Sequence, residues 1–416
     1  MSGNFGTLIP MHKLDFYGVS VKKLGSGAFG DVYEYVKSGV RYAVKSYIQR
    51  DEVAVMFGIE PDEDAEADEP IRIDAVREIG ILQKLSHPNI IQLIDVIDFD
   101  ARKVKGSLKI VLPWADYSLD DYITGSKFQD VKFSNKTLKS YMYQLLRGLK
   151  YLHSNNVWHR DIKPSNILVY RNIVLDKVVF ADFGVSRFGT MVSNDYSKGL
   201  GTLYWRAPEL FFEKDTYGSG VDIFALGTTF ADMLLKRYIF EGSDEKEVLM
   251  NEVRLLGGAR ERDWPGISSF KEYDVDIASL AEEVEKTDSA RQLWNTTFRG
   301  IDDTMTEVVS GMLVFSPEDR LPLSECLDIL NSDEDPDRDI YKLVNERLPY
   351  KEQVYKCGSN LENNQIVIPV TQINYKDSPT IAAYSVFFDW MTFESIKLDL
   401  KFETVFHARL LFDLFV

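Results

Sequence analysis

From Val19 to Val44, apolar and polar residues alternate around glycine-rich punctuation, a period that predicts twisted antiparallel strands. Leu108 to Leu112 and Lys177 to Ala181 read as further short strands. Between Ile73 and Leu85 the period changes. Apolar side chains fall on one helical face there, Asp74 sits near the start where the helix dipole favours an anion, and Ser86-His87-Pro88-Asn89 closes the helix. Lys136 to Ser154 keeps a helical period through Leu138, Tyr141, Met142, Leu145, Leu146, Leu149 and Leu152, which is a core-facing stripe. Asp222 to Gly227 reads as a core helix. Two regions break these patterns. Glu60 to Glu69 holds seven acids in ten residues, a run that repels itself and buries nothing, so it reads as a disordered loop or a seat for a basic partner. From Asn331 onward Ser332-Asp333-Glu334-Asp335-Pro336-Asp337 reads as a linker, and Ser385 to Val416, rich in Phe and Leu, is open between a packed helix or hairpin and a docking tail.

Composition narrows the class. The 416 residues suffice for two domains, or for one two-lobed enzyme with an appendage. Forty-eight basic against 65 acidic residues give a net charge of -17, which argues against a general nucleic-acid binder, because phosphate backbones need clustered Lys and Arg. Cys326 and Cys357 form neither a disulfide framework nor a metal-binding pair, pointing to a reducing compartment. Met1 to Ser20 lacks a signal-peptide pattern, and nowhere do about 18 uncharged apolar residues run together. The expectation is a soluble intracellular protein of cytoplasm and/or nucleus, with no membrane and no nucleic-acid partner.

The chemistry concentrates in Val157 to Val169, where an acid, two bases and an amide sit between apolar flanks. Asp161 is placed to take a proton from a hydroxyl, Lys163 to neutralise a transferring phosphoryl group, and Asn166 to hold a divalent cation. Upstream, the glycines of Gly25-Ser26-Gly27-Ala28-Phe29-Gly30-Asp31-Val32 let a hairpin bring its N–H groups against phosphate oxygens. No helix follows directly, which disfavours a dinucleotide-binding fold. Taken singly, each feature also has a plain reading: a solvated turn aspartate, a glycine-rich hairpin, an exposed lysine.

Their order does not. His159-Arg160-Asp161 with Lys163 and Asn166 resembles the catalytic loop of protein kinases, with Ile162 where the family carries Leu. The glycine hairpin, Lys45, Glu78, Asp161, Asn166, Asp182-Phe183-Gly184 and Ala207-Pro208-Glu209 follow in the family's sequence. The resemblance implies an α+β, bilobal fold with a small, mainly antiparallel β N-lobe holding one key helix (17–113), a hinge (113–116) and a larger helical C-lobe (117–330). Flanking these would be an N-terminal extension (1–16), an acidic insertion (58–70) and a C-terminal extension (331–416). It also implies ATP and Mg2+. Leu24 through Val32 would cover the phosphates, Lys45 would hold them while pairing with Glu78, and Pro113 and Ala115 would bind adenine through their backbone beside a gate at Leu112. Asp182 and Asn166 would hold magnesium, Asp161 would be the base, and Lys163 and Thr202 would fix the acceptor hydroxyl. Glu209 would pair with Arg320, and Asp222 would brace the catalytic loop.

Finer likenesses point within the family. Ala75-Val76-Arg77-Glu78 is similar to the signature helix of cyclin-dependent kinases, departing at Ile73 and Asp74. Arg206 before Ala-Pro-Glu resembles the CMGC group, with Tyr204 and Trp205 exchanged. Lys163 with Thr202 resembles serine/threonine kinases. The resemblance implies that three arginines, Arg77, Arg160 and Arg187, come together, where they would repel unless an anion joins them, and the family pattern puts a phosphorylated Ser197 there. The implied partners are a protein substrate with a cyclin or another cyclin-dependent kinase, in cell-cycle or transcription control. Alternatives are a monomeric kinase that activates cyclin-dependent kinases and, in another class, a pseudokinase scaffold, which loss of Lys45, Asp161 or Asp182 would favour; none is lost.

Overall fold

The structure is a computed structural model that describes residues 16–27, 30–47, 73–97, 109–128, 131–188, 201–212, 217–332 and 339–348. Ala28, Phe29, the acidic insertion 58–70, Ser197 and the tail beyond 348 lie outside the described residues. The chain divides into two compact units, with a boundary between Trp114 and Ala115, inside the expected hinge.

The first unit is built on antiparallel strands β1 (Val19–Gly27), β2 (Gly30–Lys37), β3 (Val40–Tyr47), then helix α1 (Ile73–Lys84), then β4 (Asp95–Ile97) and β5 (Lys109–Pro113). The sheet order is β1-β2-β3-β5-β4. Its small core joins Tyr17, Val44, Ile97 and Val111, flanked by Tyr35 and Tyr42, and the Tyr17 hydroxyl donates to Asp95 Oδ2 at 2.7 Å. Helix α1 buries Ala75, Ile79 and Leu82, and Glu78 lies on this same buried face.

The second unit is mainly helical. Its first elements are β6 (Tyr117–Ser118), α2 (Leu119–Ile123), α3 (Asn135–Ser154), β7 (Val157–Trp158), β8 (Ile167–Tyr170), β9 (Lys177–Phe180) and β10 (Arg187–Phe188). Helices α4 (Pro208–Phe211), α5 (Gly220–Leu235), α6 (Glu245–Leu256), α7 (Val275–Thr287), α8 (Ser289–Thr297), α9 (Asp303–Met312), α10 (Leu323–Leu330) and α11 (Asp339–Arg347) follow. Helices α3 and α5 are buried along most of their length, and β9 and β7 of the short sheets β6-β8-β9 and β10-β7 pack against α3. Among the described residues no helix is long and apolar enough to cross a membrane.

Two boundaries differ from the sequence reading. Leu85–Ile91, inside the expected N-lobe range, packs with the helical unit. The cause is Asn89, whose Nδ2 donates to Gln144 Oε1 and to the Val178 carbonyl while its own carbonyl accepts from Phe180 N. The helical unit also runs past 330. Helix α11 buries Ile340, Tyr341 and Val344, Tyr341 lies 4.6 Å from the Tyr143 ring, and Asn345 donates to the Tyr143 hydroxyl.

Candidate active site

In the β unit the strand register brings Lys45 opposite Val32 on β2 and Ile110 on β5. Its Nζ lies 2.7 Å from Glu78 Oε2, both side chains buried, as the resemblance implied. Tyr47, two residues further along the same strand face, donates to that same oxygen at 2.8 Å. The sequence reading missed Tyr47; the period-two rule from Lys45 was the available signal. The glycine hairpin forms, with Gly27 opposite Gly30. Its glycines have different reasons to be there. A Cβ on Gly30 would stand 2.2 Å from the Ser46 carbonyl oxygen, so the sheet itself excludes a side chain, whereas a Cβ on Gly25 would meet nothing within 4 Å. Ser26 donates to Asp31 Oδ1 at 2.6 Å and Lys23 pairs with the same carboxylate, tying the hairpin across its strands. Leu24 is exposed, Leu112 is buried, and Pro113 pairs with Tyr42 at the end of β5. Arg77 is half-buried on α1.

In the helical unit the catalytic-loop residues converge. Thr202 Oγ1 donates to Asp161 Oδ1 at 2.8 Å, Lys163 Nζ donates to Thr202 Oγ1 at 2.6 Å, and Lys163 stands 2.7 Å from Asp161 Oδ2. Asn166 Nδ2 donates to the Asp161 carbonyl and to Oδ2, which turns its own Oδ1 away from the aspartate. Asp161 is thus aimed by three side chains, and Ala115 leads the chain into the unit that holds them.

The loop is held from below. Asp222 on α5 accepts from His159 N at 2.9 Å, Arg160 N at 2.7 Å and His153 Nε2 at 3.0 Å. Burial pushes its carboxyl up, but these bonds and the two imidazoles bring it below the ordinary carboxylate value. Because the Ala181 carbonyl can only accept, His159 Nε2 carries the proton and donates to it, leaving Nδ1 to accept from Asp161 N. Ala181 N donates to the Asn166 carbonyl at 2.9 Å, so Asp182 starts beside Asn166. Arg160 and Asp182 both hold left-handed backbone, φ +70° and +61°, conformations that cost about 1–3 kcal/mol each and persist only where the surroundings fix them. The β10-β7 pairing sets Arg187 opposite Trp158, two residues from Arg160. Burial and then repulsion from Arg187 lower the Arg160 pKa, and its Nε is buried without a hydrogen-bond partner among the described residues.

The oxygen donors Asp182 and Asn166 suit a hard divalent cation that keeps most of its shell for phosphates and water, and magnesium demands few protein ligands. Among the described residues no cluster of three His, Cys, Asp or Glu offers a rival metal cage.

Around Thr202, Trp205 Nε1 donates to Asp232 Oδ2 and Ile239 N to Asp232 Oδ1, both at 2.8 Å. Burial outweighs these bonds and pushes the Asp232 carboxyl up from 3.8 to about 8. The folded state therefore keeps a proton that the unfolded chain loses above about pH 4. The Asp232 contribution to stability is expected to fall as pH rises from about 4 to about 8, and Asp232→Asn to remove that part of the slope in a Tm-against-pH series. Glu209 and Arg320 form the expected buried bridge, with Nη1–Oε1 at 2.7 Å and Nη2–Oε2 at 2.6 Å.

A sheet unit carrying a buried Lys–Glu pair, and a helical unit presenting a braced Asp–Lys–Asn loop with a Thr on its carboxylate, are the parts of a phosphoryl-transfer enzyme. The family model described as Protein kinase domain matches residues 19–330, and the chain belongs to the protein kinase family. As such it is a phosphotransfer enzyme with ATP as donor and protein as acceptor.

Proposed function

We propose that the chain is a serine/threonine protein kinase of the cyclin-dependent-kinase-like CMGC type, with Asp161 as the base. The observation that carries this is the closed set Lys163–Thr202–Asp161, in which a threonine hydroxyl donates to the Asp161 carboxylate and accepts from the lysine. A serine or threonine hydroxyl entering beside Thr202 loses its proton to Asp161 as its oxygen attacks the γ-phosphorus in line, and Lys163 offsets the charge spread over the moving group. Lys45, steadied by Glu78 and Tyr47, takes the α- and β-phosphates. Asp182 and Asn166 would hold magnesium, which would neutralise phosphate charge when bound. The backbone of Leu24 to Val32 covers the phosphates, and Pro113 and Ala115 hold adenine.

A phosphate on Ser197, which lies outside the described residues, would supply the anion for Arg160 and Arg187 in the helical unit; Arg77 lies in the β unit. Supporting this, the Arg160 Nε is buried without a hydrogen-bond partner among the described residues, and burial and Arg187 oppose its charge while Tyr217 and Asp222 favour it. Nuclear or cytoplasmic work in cell-cycle or transcription control fits this type.

Phosphoamino-acid analysis after incubation with Mg-ATP and peptides containing Ser, Thr and Tyr tests the class: phosphoserine and phosphothreonine are expected, and phosphotyrosine alone contradicts it. Running the assay without an added cyclin separates a cyclin-driven kinase, which stays near background, from a monomeric activating kinase, which does not.

A further inference from the structure

Helix α6 carries a residue that its surroundings leave unsatisfied. Glu252 is fully buried, and neither carboxyl oxygen has a hydrogen-bond partner among the described residues. It shares a helix face with Val248 and Leu255, and α6 packs on α4 and on the 3-10 turn Leu203–Trp205. The charged groups whose fields reach it are Arg320 and Arg206, which favour its ionised form, and Glu209, which opposes it; burial outweighs them and raises its pKa. Arg320 and Glu209 are already closed on each other in two short bonds. Arg206 is not closed. It is 7% exposed with a buried Nε that lacks an acceptor, while Nη1 reaches out to Glu245, 64% exposed, and Nη2 to the Gly201 carbonyl at 3.4 Å. Among the described residues, a buried donor without an acceptor and a buried acceptor without a donor thus lie within each other's field.

We propose that Glu252 is an inner station for the Arg206 guanidinium, exchanged with the outer station Glu245, and that the exchange sets how Gly201 to Arg206 presents the acceptor-binding side of Thr202. In the outer pair the Glu245 carboxylate is exposed and solvated, which weakens the pair. The inner pair forms where charge interactions are strong and supplies partners for two unsatisfied groups. Moving inward takes Nη2 off the Gly201 carbonyl. Gly201 holds φ +76° and directly precedes Thr202, so its peptide group is the one that Arg206 steers. Glu252 is a positioning residue here, and this rests on the kinase reading above.

Two measurements test it. In a crystal structure of Glu245→Ala, a guanidinium nitrogen of Arg206 is expected within hydrogen-bond distance of a Glu252 carboxyl oxygen. In steady-state kinetics on Glu245→Ala, Glu252→Leu and the double variant, the peptide KM of the double variant is expected about tenfold above the product of the single changes, with the KM for ATP unmoved, as for residues sharing a partner. Glu252→Gln, which keeps shape and hydrogen bonding, restores part of the loss and replaces Leu in the cycle if Tm shows that the Leu variant does not fold. Arg206 still away from Glu252, with single effects that simply multiply, overturns the proposal. A wild type that transfers no phosphate sinks the kinase reading, and the crystal structure then still decides the station.

Discussion

Asp161→Asn is expected to lower kcat by about 10²–10⁴-fold while leaving the KM for ATP and peptide nearly unchanged, the range for loss of a positioned proton acceptor. The geometry makes Asn a poor substitute despite its shape. Donors arrive at both oxygens, Thr202 at Oδ1 and Lys163 and Asn166 at Oδ2. An amide offers one oxygen, so in either orientation its NH2 group faces a donor and the set opens. The fold should survive, because the loop is anchored by backbone bonds to Asp222 that do not use the Asp161 side chain. Steady-state kinetics with Tm as control separates this from unfolding: a fall in Tm that parallels the fall in kcat would remove Asp161 from its role.

Arg320→Ala is expected to lower stability by about 3–5 kcal/mol, the usual result of leaving one partner of a buried ion pair behind. For a unit of this size that is a drop of roughly 6–20 °C in Tm. Arg320 does more than pair with Glu209. It also donates to the carbonyls of Val314, Gly220 and Phe315, joining the end of the α9 region, the start of α5 and helix α4 through one guanidinium. Removing it orphans Glu209 and those carbonyls together. Arg320→Lys should recover little, since an ammonium cannot fork across both oxygens. A Tm within about 2 °C of wild type for Arg320→Ala would show that the bridge does not hold these helices.

Much of this was legible because kinase chemistry is written in short runs of sequence. Asp161, Lys163 and Asn166 sit within one loop, and Lys45 and Glu78 declare themselves by order, so the pairs Lys45–Glu78, Lys163–Thr202 and Glu209–Arg320 could be named before coordinates. What escaped depends on contacts that local patterns do not encode. Glu252 falls in Leu249-Met250-Asn251-Glu252-Val253 and lies on the buried helix face with Val248 and Leu255, a burial that comes from tertiary packing. Leu85–Ile91 follows a helix of the β unit yet belongs with the helical unit, because Asn89 bonds to residues far along the chain. Helix α11 was hidden behind an acidic stretch that read as a linker, although Ile340, Tyr341 and Val344 already stood at helical spacing. Gly30 has a further reason to be glycine that the sequence does not show: its neighbour is the Ser46 carbonyl of the sheet.

The central claim is that Asp161 drives transfer of the ATP γ-phosphate to a protein hydroxyl. Its most direct measurement is label from γ-phosphate-labelled Mg-ATP incorporated into a generic basic protein by the intact wild-type chain and by Asp161→Asn, side by side. The account predicts strong label from the wild type and near-background label from the variant. Equal label from both would contradict it and leave the chain a scaffold with a kinase fold.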